Sequence, residues 1–221
     1  MTTPLTPPDH PAHRRHSPYA LDPALAELGL AVPDTALARD ARDLVAEVAE
    51  PFLVNHSIRS YAWAVALADL DGRAFDVEIL YVASVLHDIG LVPAYDAGGC
   101  FEVDGAVAAR EFVLAHGCPP DRAARIHDVI VRHMAAEQPP DAWPEDILLD
   151  QSTGTDVTGY RFGDLSPSLA APILAAYPRL DFKRRFAALF EDQAKRKPDC
   201  RVGEMVRTGK VAAIANAPFT E

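Results

Sequence analysis

From Asp34 onward the apolar residues recur at spacings of three and four, and strand-like alternation is nowhere convincing. That period restricts the chain to packed helices, because a 3.6-residue stripe cannot keep one face buried when drawn out as a strand. Asp34 or Thr35 can cap a first helix running to about Ala49, with Leu37, Ala41, Leu44 and Val48 on one face. A second helix starts near Asn55, puts His56, Ser60, Trp63 and Leu67 on a shared face, and ends at Asp71-Gly72. A third runs from about Asp76 to Ile89, with Val77, Leu80, Ser84 and His87 in one stripe and Gly90 as its stop. A loop with Gly98-Gly99 separates these from a helix over about Asp104 to Ala115. Pro119-Pro120 opens the next, which carries Ile126, Ile130 and His133 on one side. Further helices are predicted over about Pro144 to Val157, Phe182 to Lys195 and Val202 to Ala215. The fold class is all-α, a helical bundle over residues 34–221.

Residues 1–33 stand apart. They hold seven of the 19 prolines, with His10, His13 and His16 among polar residues. A flexible or extended arm lying on the body is expected there, rather than a metal-binding tail. A chain of 221 residues suggests one domain, and 49% hydrophobic residues supply it with ample core. The 32 acidic against 21 basic side chains repel phosphate backbones, so no nucleic-acid partner is expected. A small anion in a local basic pocket is compatible with that charge. No apolar run approaches the roughly 20 residues that span a bilayer, and no secretory leader is evident, so the expected compartment is the cytoplasm. Cys100, Cys118 and Cys200 are odd in number, widely spaced and without a CxxC pair. Neither a disulfide nor a thiolate zinc site is expected from them. The C-terminal helices are compatible with a homo-oligomer and equally with the monomer's own core.

The chemistry-bearing residues gather at a helix end. His87 and Asp88 are adjacent just before Ile89-Gly90, and neighbouring helical residues point about 100° apart. Both reach one point only where the helix is ending. In an antiparallel hairpin the start of one helix lies beside the end of the next, which brings His56 to that pair. A lone His on an apolar face is usually a hydrogen-bonded core residue, and a His-Asp dipeptide alone says little. The string Leu86-His87-Asp88-Ile89-Gly90, with a His on the matching face of the preceding helix, says more. A carboxylate buried beside an apolar stripe needs a cation to balance it, and imidazole with carboxylate suits a divalent transition metal.

This set resembles the ligand pattern of the HD-domain superfamily, whose members are helical metal-dependent enzymes. Asn55-His56-Ser57-Ile58-Arg59-Ser60-Tyr61 resembles the start of the cyanamide hydratase-like branch more narrowly. So do Leu86-His87-Asp88-Ile89-Gly90-Leu91, Phe101-Glu102-Val103-Asp104-Gly105-Ala106 and Tyr177-Pro178-Arg179. The likeness covers roughly residues 34–195. It implies one divalent metal, zinc before iron, held by His56, His87, Asp88 and a later Asp. Asp156, in Thr155-Asp156-Val157-Thr158-Gly159, matches that last position; Asp150 is its competitor, but Leu149, Ser152 and Asp156 share one face. Two-metal relatives carry further histidines, and only His133 and the less well placed His127 are on offer here.

The implied function is hydration of cyanamide, or a similar small nitrile-like molecule, to urea by metal-activated water, with Asp88, Glu102 and His133 as catalytic groups. Glu102 beside Phe101, or His133, would supply the proton to nitrogen. The alternative is an HD-type phosphohydrolase acting on a nucleotide or small phosphomonoester. Many phosphohydrolase relatives carry a Lys where this chain reads Ile89-Gly90-Leu91, and its absence weakens that alternative. A metal used only as a structural staple is a third possibility, and would be fully ligated by protein.

Overall fold

A computed structural model describes residues 21–221 of the protein. Its α-helices are α1 (Pro23–Glu27), α2 (Ala36–Val48), α3 (Pro51–Leu70), α4 (Val77–Leu86), α5 (Phe101–Ala115) and α6 (Pro120–Arg132). They continue with α7 (Pro144–Thr158), α8 (Pro167–Ala176), α9 (Phe182–Arg196), α10 (Arg201–Arg207) and α11 (Ala212–Ala215). Among the described residues there is no strand, so the fold is all-α as the periodicity requires. No helix among them is long and apolar enough to cross a membrane.

Helix α3 is the axis of the bundle. It is buried on every side from Phe52 to Ala68 apart from Asn55, and helices α2, α4, α7, α8 and α9 pack around it. Proline opens α3, α6, α7 and α8, where its missing N–H would have no intrahelical partner anyway. Side-chain caps set other starts: Thr35 Oγ1 accepts from the Ala38 amide at 3.2 Å, and Asp76 Oδ1 from the Ile79 amide at 3.0 Å. Gly72, at φ 61°, turns the chain between α3 and α4, and the hairpin carries the end of α4 back to the start of α3. Beyond α4 the chain tightens into a single 3₁₀ turn, Ile89–Leu91.

Gly90 sits in that turn with a negative φ, so its role is space rather than a left-handed helix stop. A Cβ there would lie 2.0 Å from the Phe101 carbonyl oxygen and 2.8 Å from the Gly105 amide nitrogen. The two backbones cross glycine on glycine. That crossing brings the first turn of α5, with Phe101 and Glu102, against the end of the α4 segment. The loop before α5 is fixed by Asp104, whose carboxylate accepts from the Ala97 and Gly99 amides at 2.9 and 3.0 Å.

Several expectations change. Helix α5 begins at Phe101, so Asp104 lies inside its first turn instead of capping it. The helix expected from Val202 to Ala215 is two, parted at Gly209, whose φ of 75° ends α10. Helix α8 is not foreseen at all, because Pro167 and Pro172 within it and Pro178 just beyond it mask its period. Of the segment set apart as an arm, residues 1–20 with the three histidines lie outside the described residues. Residues 21–33 include α1, whose Leu25 is fully buried, and Asp22, which accepts from Tyr81 and, at 3.4 Å, from the Tyr177 hydroxyl.

The cysteine expectation is corrected. Cys100, at the N-cap of α5, and Cys200, at the N-cap of α10, form a disulfide; the odd count arises because Cys118 is buried and free. Next to it Lys197 is ion-paired with Asp96 at 2.7 Å.

Two outcomes follow for the purified protein. Alkylation after denaturation without reductant modifies one thiol per chain, and three after reduction. The bond links residues 100 apart in sequence, and its loss in Cys200→Ser lowers stability by about 2–5 kcal/mol in urea unfolding. Gly90→Ala, which forces two backbones apart, costs about 3 kcal/mol by the same measurement.

Candidate metal centre

His56 lies in the second turn of α3, and His87 ends α4 with Asp88 directly after it. One nitrogen from each imidazole and one Asp88 carboxylate oxygen lie within 4.8 Å of one another, and all three side chains are buried. His87 Nε2 stands 3.2 Å from His56 Nε2, and Asp88 Oδ2 stands 3.2 and 3.4 Å from those two nitrogens. The His133 ring, on the residue capping α6, packs edge-on to that of His87, and its Nε2 is 4.0 Å from Asp88 Oδ1.

The opposite side of each ring fixes its tautomer. His87 Nδ1 donates to the Ser84 carbonyl at 2.7 Å, and His133 Nδ1 donates to the Ile130 carbonyl. His56 Nδ1 donates to Asp156 Oδ2 at 2.8 Å. With Nδ1 of each ring committed outward, every Nε2 presents a lone pair inward. Asp88 Oδ2 is itself buried without a hydrogen-bond partner. Two imidazole lone pairs and a carboxylate oxygen therefore face one another with no donor between them. Such a donor set fits a divalent cation in both charge and element type.

Titration behaviour agrees. Burial pushes the Asp88 carboxyl up, but the neighbouring His87 outweighs it and holds the group at about 2. Burial lowers His87, yet the Asp88 carboxylate more than compensates and raises it. His133 is pushed down to about 4, chiefly by burial and then by His87, and is neutral at pH 7. Burial raises Glu102, whose Oε2 is buried without a partner in the first turn of α5.

Asp156 is brought to His56 but not into the cluster. It lies behind the His56 ring, where its carboxylate takes a two-pronged contact from Arg59, Nε to Oδ1 at 2.8 Å and Nη2 to Oδ2 at 2.7 Å. Trp63 Nε1 adds a third bond at 2.9 Å. Burial pushes this carboxyl up, and the Arg59 charge and hydrogen bonds overcome it to hold the group well below the usual range. Asp156 Oδ2 thus meets His56 on its Nδ1 side, while His56 Nε2 faces His87 and Asp88. Asp150 is half-buried elsewhere on α7, where burial raises its carboxyl to about 6, and it does not join the cluster. His127, also half-buried, pairs with Asp128 at 3.0 Å.

Three side chains around the centre were named in the sequence only on a helix face or inside a motif, with no role at the site: Arg59, Trp63 and Arg179. Arg59 and Trp63 follow His56 by three and seven residues, the spacing of one helix face, which was the available signal. Aromatic rings lie against two of the imidazoles. Phe182 and Phe186 lie 4.8 and 5.3 Å from the His56 ring, and Phe101 lies 5.9 Å from that of His133.

A histidine from one helix meeting a His-Asp pair at the end of the next defines the class. The chain contains an HD domain, and the HD domain family model matches residues 53–148. The chain is similar to two proteins of Saccharomyces cerevisiae, cyanamide hydratase DDI2 and cyanamide hydratase DDI3. Each is 28% identical over 171 residues, which cover 75% of this chain and 76% of the relative.

Arg59→Ala strips the buried Asp156 of its main partner and is expected to cost roughly 3–5 kcal/mol. The carboxylate's stabilising contribution is present above its unfolded pKa of about 3.9 and is lost as pH falls through the depressed folded value. Without Arg59 that folded value rises. The midpoint of acid unfolding, followed by circular dichroism, therefore moves to higher pH in the variant.

Proposed function

We propose that the protein is a metal-dependent hydratase that adds water to cyanamide or a similar small nitrile-like molecule, with zinc as the ion. The observation that carries this reading is a metal-competent cluster flanked by aromatic rings in which, among the described residues, the buried cations Arg59, Arg179 and Lys197 are all tied to carboxylates. Arg59 and Arg179 are both engaged with Asp156, and Lys197 with Asp96. Such a site suits a short neutral substrate better than a phosphate ester, which would need a free positive group to meet its charge. The likeness to two cyanamide hydratases supports the same choice.

His56, His87 and Asp88 would hold the ion, with Asp156 fixing the first of them. When bound, the metal supplies Lewis acidity that lets water ionise near neutral pH. The remaining chemistry belongs to the chain. His133 is neutral at pH 7 and turns Nε2 toward Asp88, so it can take a proton from water and return it to the substrate nitrogen. Glu102, with its carboxyl raised by burial, is the second proton carrier. Water adds across C≡N: a C–O bond forms, one C–N π bond breaks, and the nitrogen gains the proton. Tautomerisation of the resulting isourea gives urea. The buried ligand set and the adjoining rings keep bulk water away from the three side chains.

Urea formation from cyanamide by zinc-loaded protein tests the proposal, with metal content measured on the same sample. About one metal per chain is expected, with activity abolished in His87→Ala. His133→Gln should retain the metal and lose at least about 10²-fold in kcat. Metal without urea formation, together with phosphate release from nucleotides, would replace the hydratase with a phosphohydrolase.

A further inference from the structure

Behind the centre lies a second buried guanidinium that the proposed chemistry does not use. Arg179 is almost fully buried, and its Nη1 donates to the backbone carbonyl of Asp156 at 3.2 Å and lies 3.5 Å from that residue's Oδ2. Its guanidinium carbon also sits 4.7 Å from the centre of the Phe182 ring. Asp156 and Phe182 are two of the groups that touch His56, one through Nδ1 and one through the ring face. Arg179 thus reaches the first histidine by two separate routes.

What holds Arg179 comes from the far end of the sequence. The Phe219 ring centre lies 4.2 Å from its guanidinium carbon, and Glu221 Oε1 accepts from its Nε at 2.9 Å. The segment is itself pinned: Lys183 Nζ donates to the Ala217 and Phe219 carbonyls at 2.7 Å each, and the Lys183 amide donates to Glu221 Oε2 at 3.0 Å. Pro218 packs so closely on Gly159, the residue ending α7, that a Cβ there would fall 2.2 Å from its Cδ. Gly159 lies three residues beyond Asp156. The segment therefore seats on the same helix end that presents the carboxylate.

We infer that residues 217–221 form a strap that clamps Arg179, and that Arg179 is a positioning residue setting the orientation of His56 for metal binding. The inference rests on reading His56, His87 and Asp88 as a metal centre. Outer-sphere partners of a ligating histidine commonly govern metal affinity by 10–100-fold, so loosening the strap should weaken the site without touching a ligand.

The experiment is Zn²⁺ affinity by chelator competition on full-length protein, with the Co²⁺ absorption spectrum and the thermal midpoint of the metal-free form recorded alongside. Phe219→Ala combined with Glu221→Gln should weaken Zn²⁺ binding by about 10-fold or more and shift the Co²⁺ bands. Glu221→Gln alone, at a partly exposed position, should fold and show a smaller loss. Val113→Ala, a core truncation near the C-terminal end of α5 and outside the strap, serves as the control that lowers the thermal midpoint but leaves affinity unchanged. Strap variants that lose no more affinity than Val113→Ala, with unaltered Co²⁺ bands, would overturn the strap while leaving the metal centre standing. Wild-type protein that binds no Zn²⁺ dependent on His87 would overturn both.

Discussion

A carboxylate shut away from water has to be surrounded by donors, and Asp156 collects its donors from widely separated parts of the chain. Arg59, Trp63 and His56 come from α3, and Arg179 from the connection before α9. Removing any one leaves charge in a medium that solvates it poorly, so these elements must dock together or not at all. Arg59 extends the requirement through Nη1, which donates to the Tyr177 carbonyl at 3.0 Å, while the Tyr177 hydroxyl reaches Asp22 beside α1. The position of the His56 ring is thereby decided by most of the bundle, not by α3 alone. A side chain held that firmly is preorganised.

Much of this was legible in the sequence because it follows from period and adjacency. The stripe of α4 ending at His87-Asp88, with His56 near the start of α3, is enough to place the three residues together once the hairpin is antiparallel. What was not legible depends on contacts between distant segments. Asp156 matches a ligand position by local pattern, yet its location behind His56 is set by Arg59 and Trp63, and no spacing rule says which side of a ring a carboxylate will occupy. Gly90 reads as a helix stop on local grounds, while its actual constraint is a backbone crossing with residues at the start of α5. The Cys100–Cys200 bond escaped for the same reason: parity arguments fail when a third cysteine is simply a buried small residue.

The burial of the centre shapes its electrostatics as much as its residue types do. Phe101, Phe182 and Phe186 face the imidazoles, and the nearby cations are neutralised by carboxylates that belong to the fold. Electrostatic effects among groups so buried are strong because water is scarce there.

The disulfide has a consequence for the integrity of the molecule. It joins the residue before α5 to the residue before α10, and the connection between α6 and α7 lies inside the covalent ring so formed. A protease that nicks this connection leaves His56, His87 and Asp88 on one fragment and Asp156 and Arg179 on the other. The two fragments stay tethered as a single particle, so one cut in that loop does not disperse the residues of the centre.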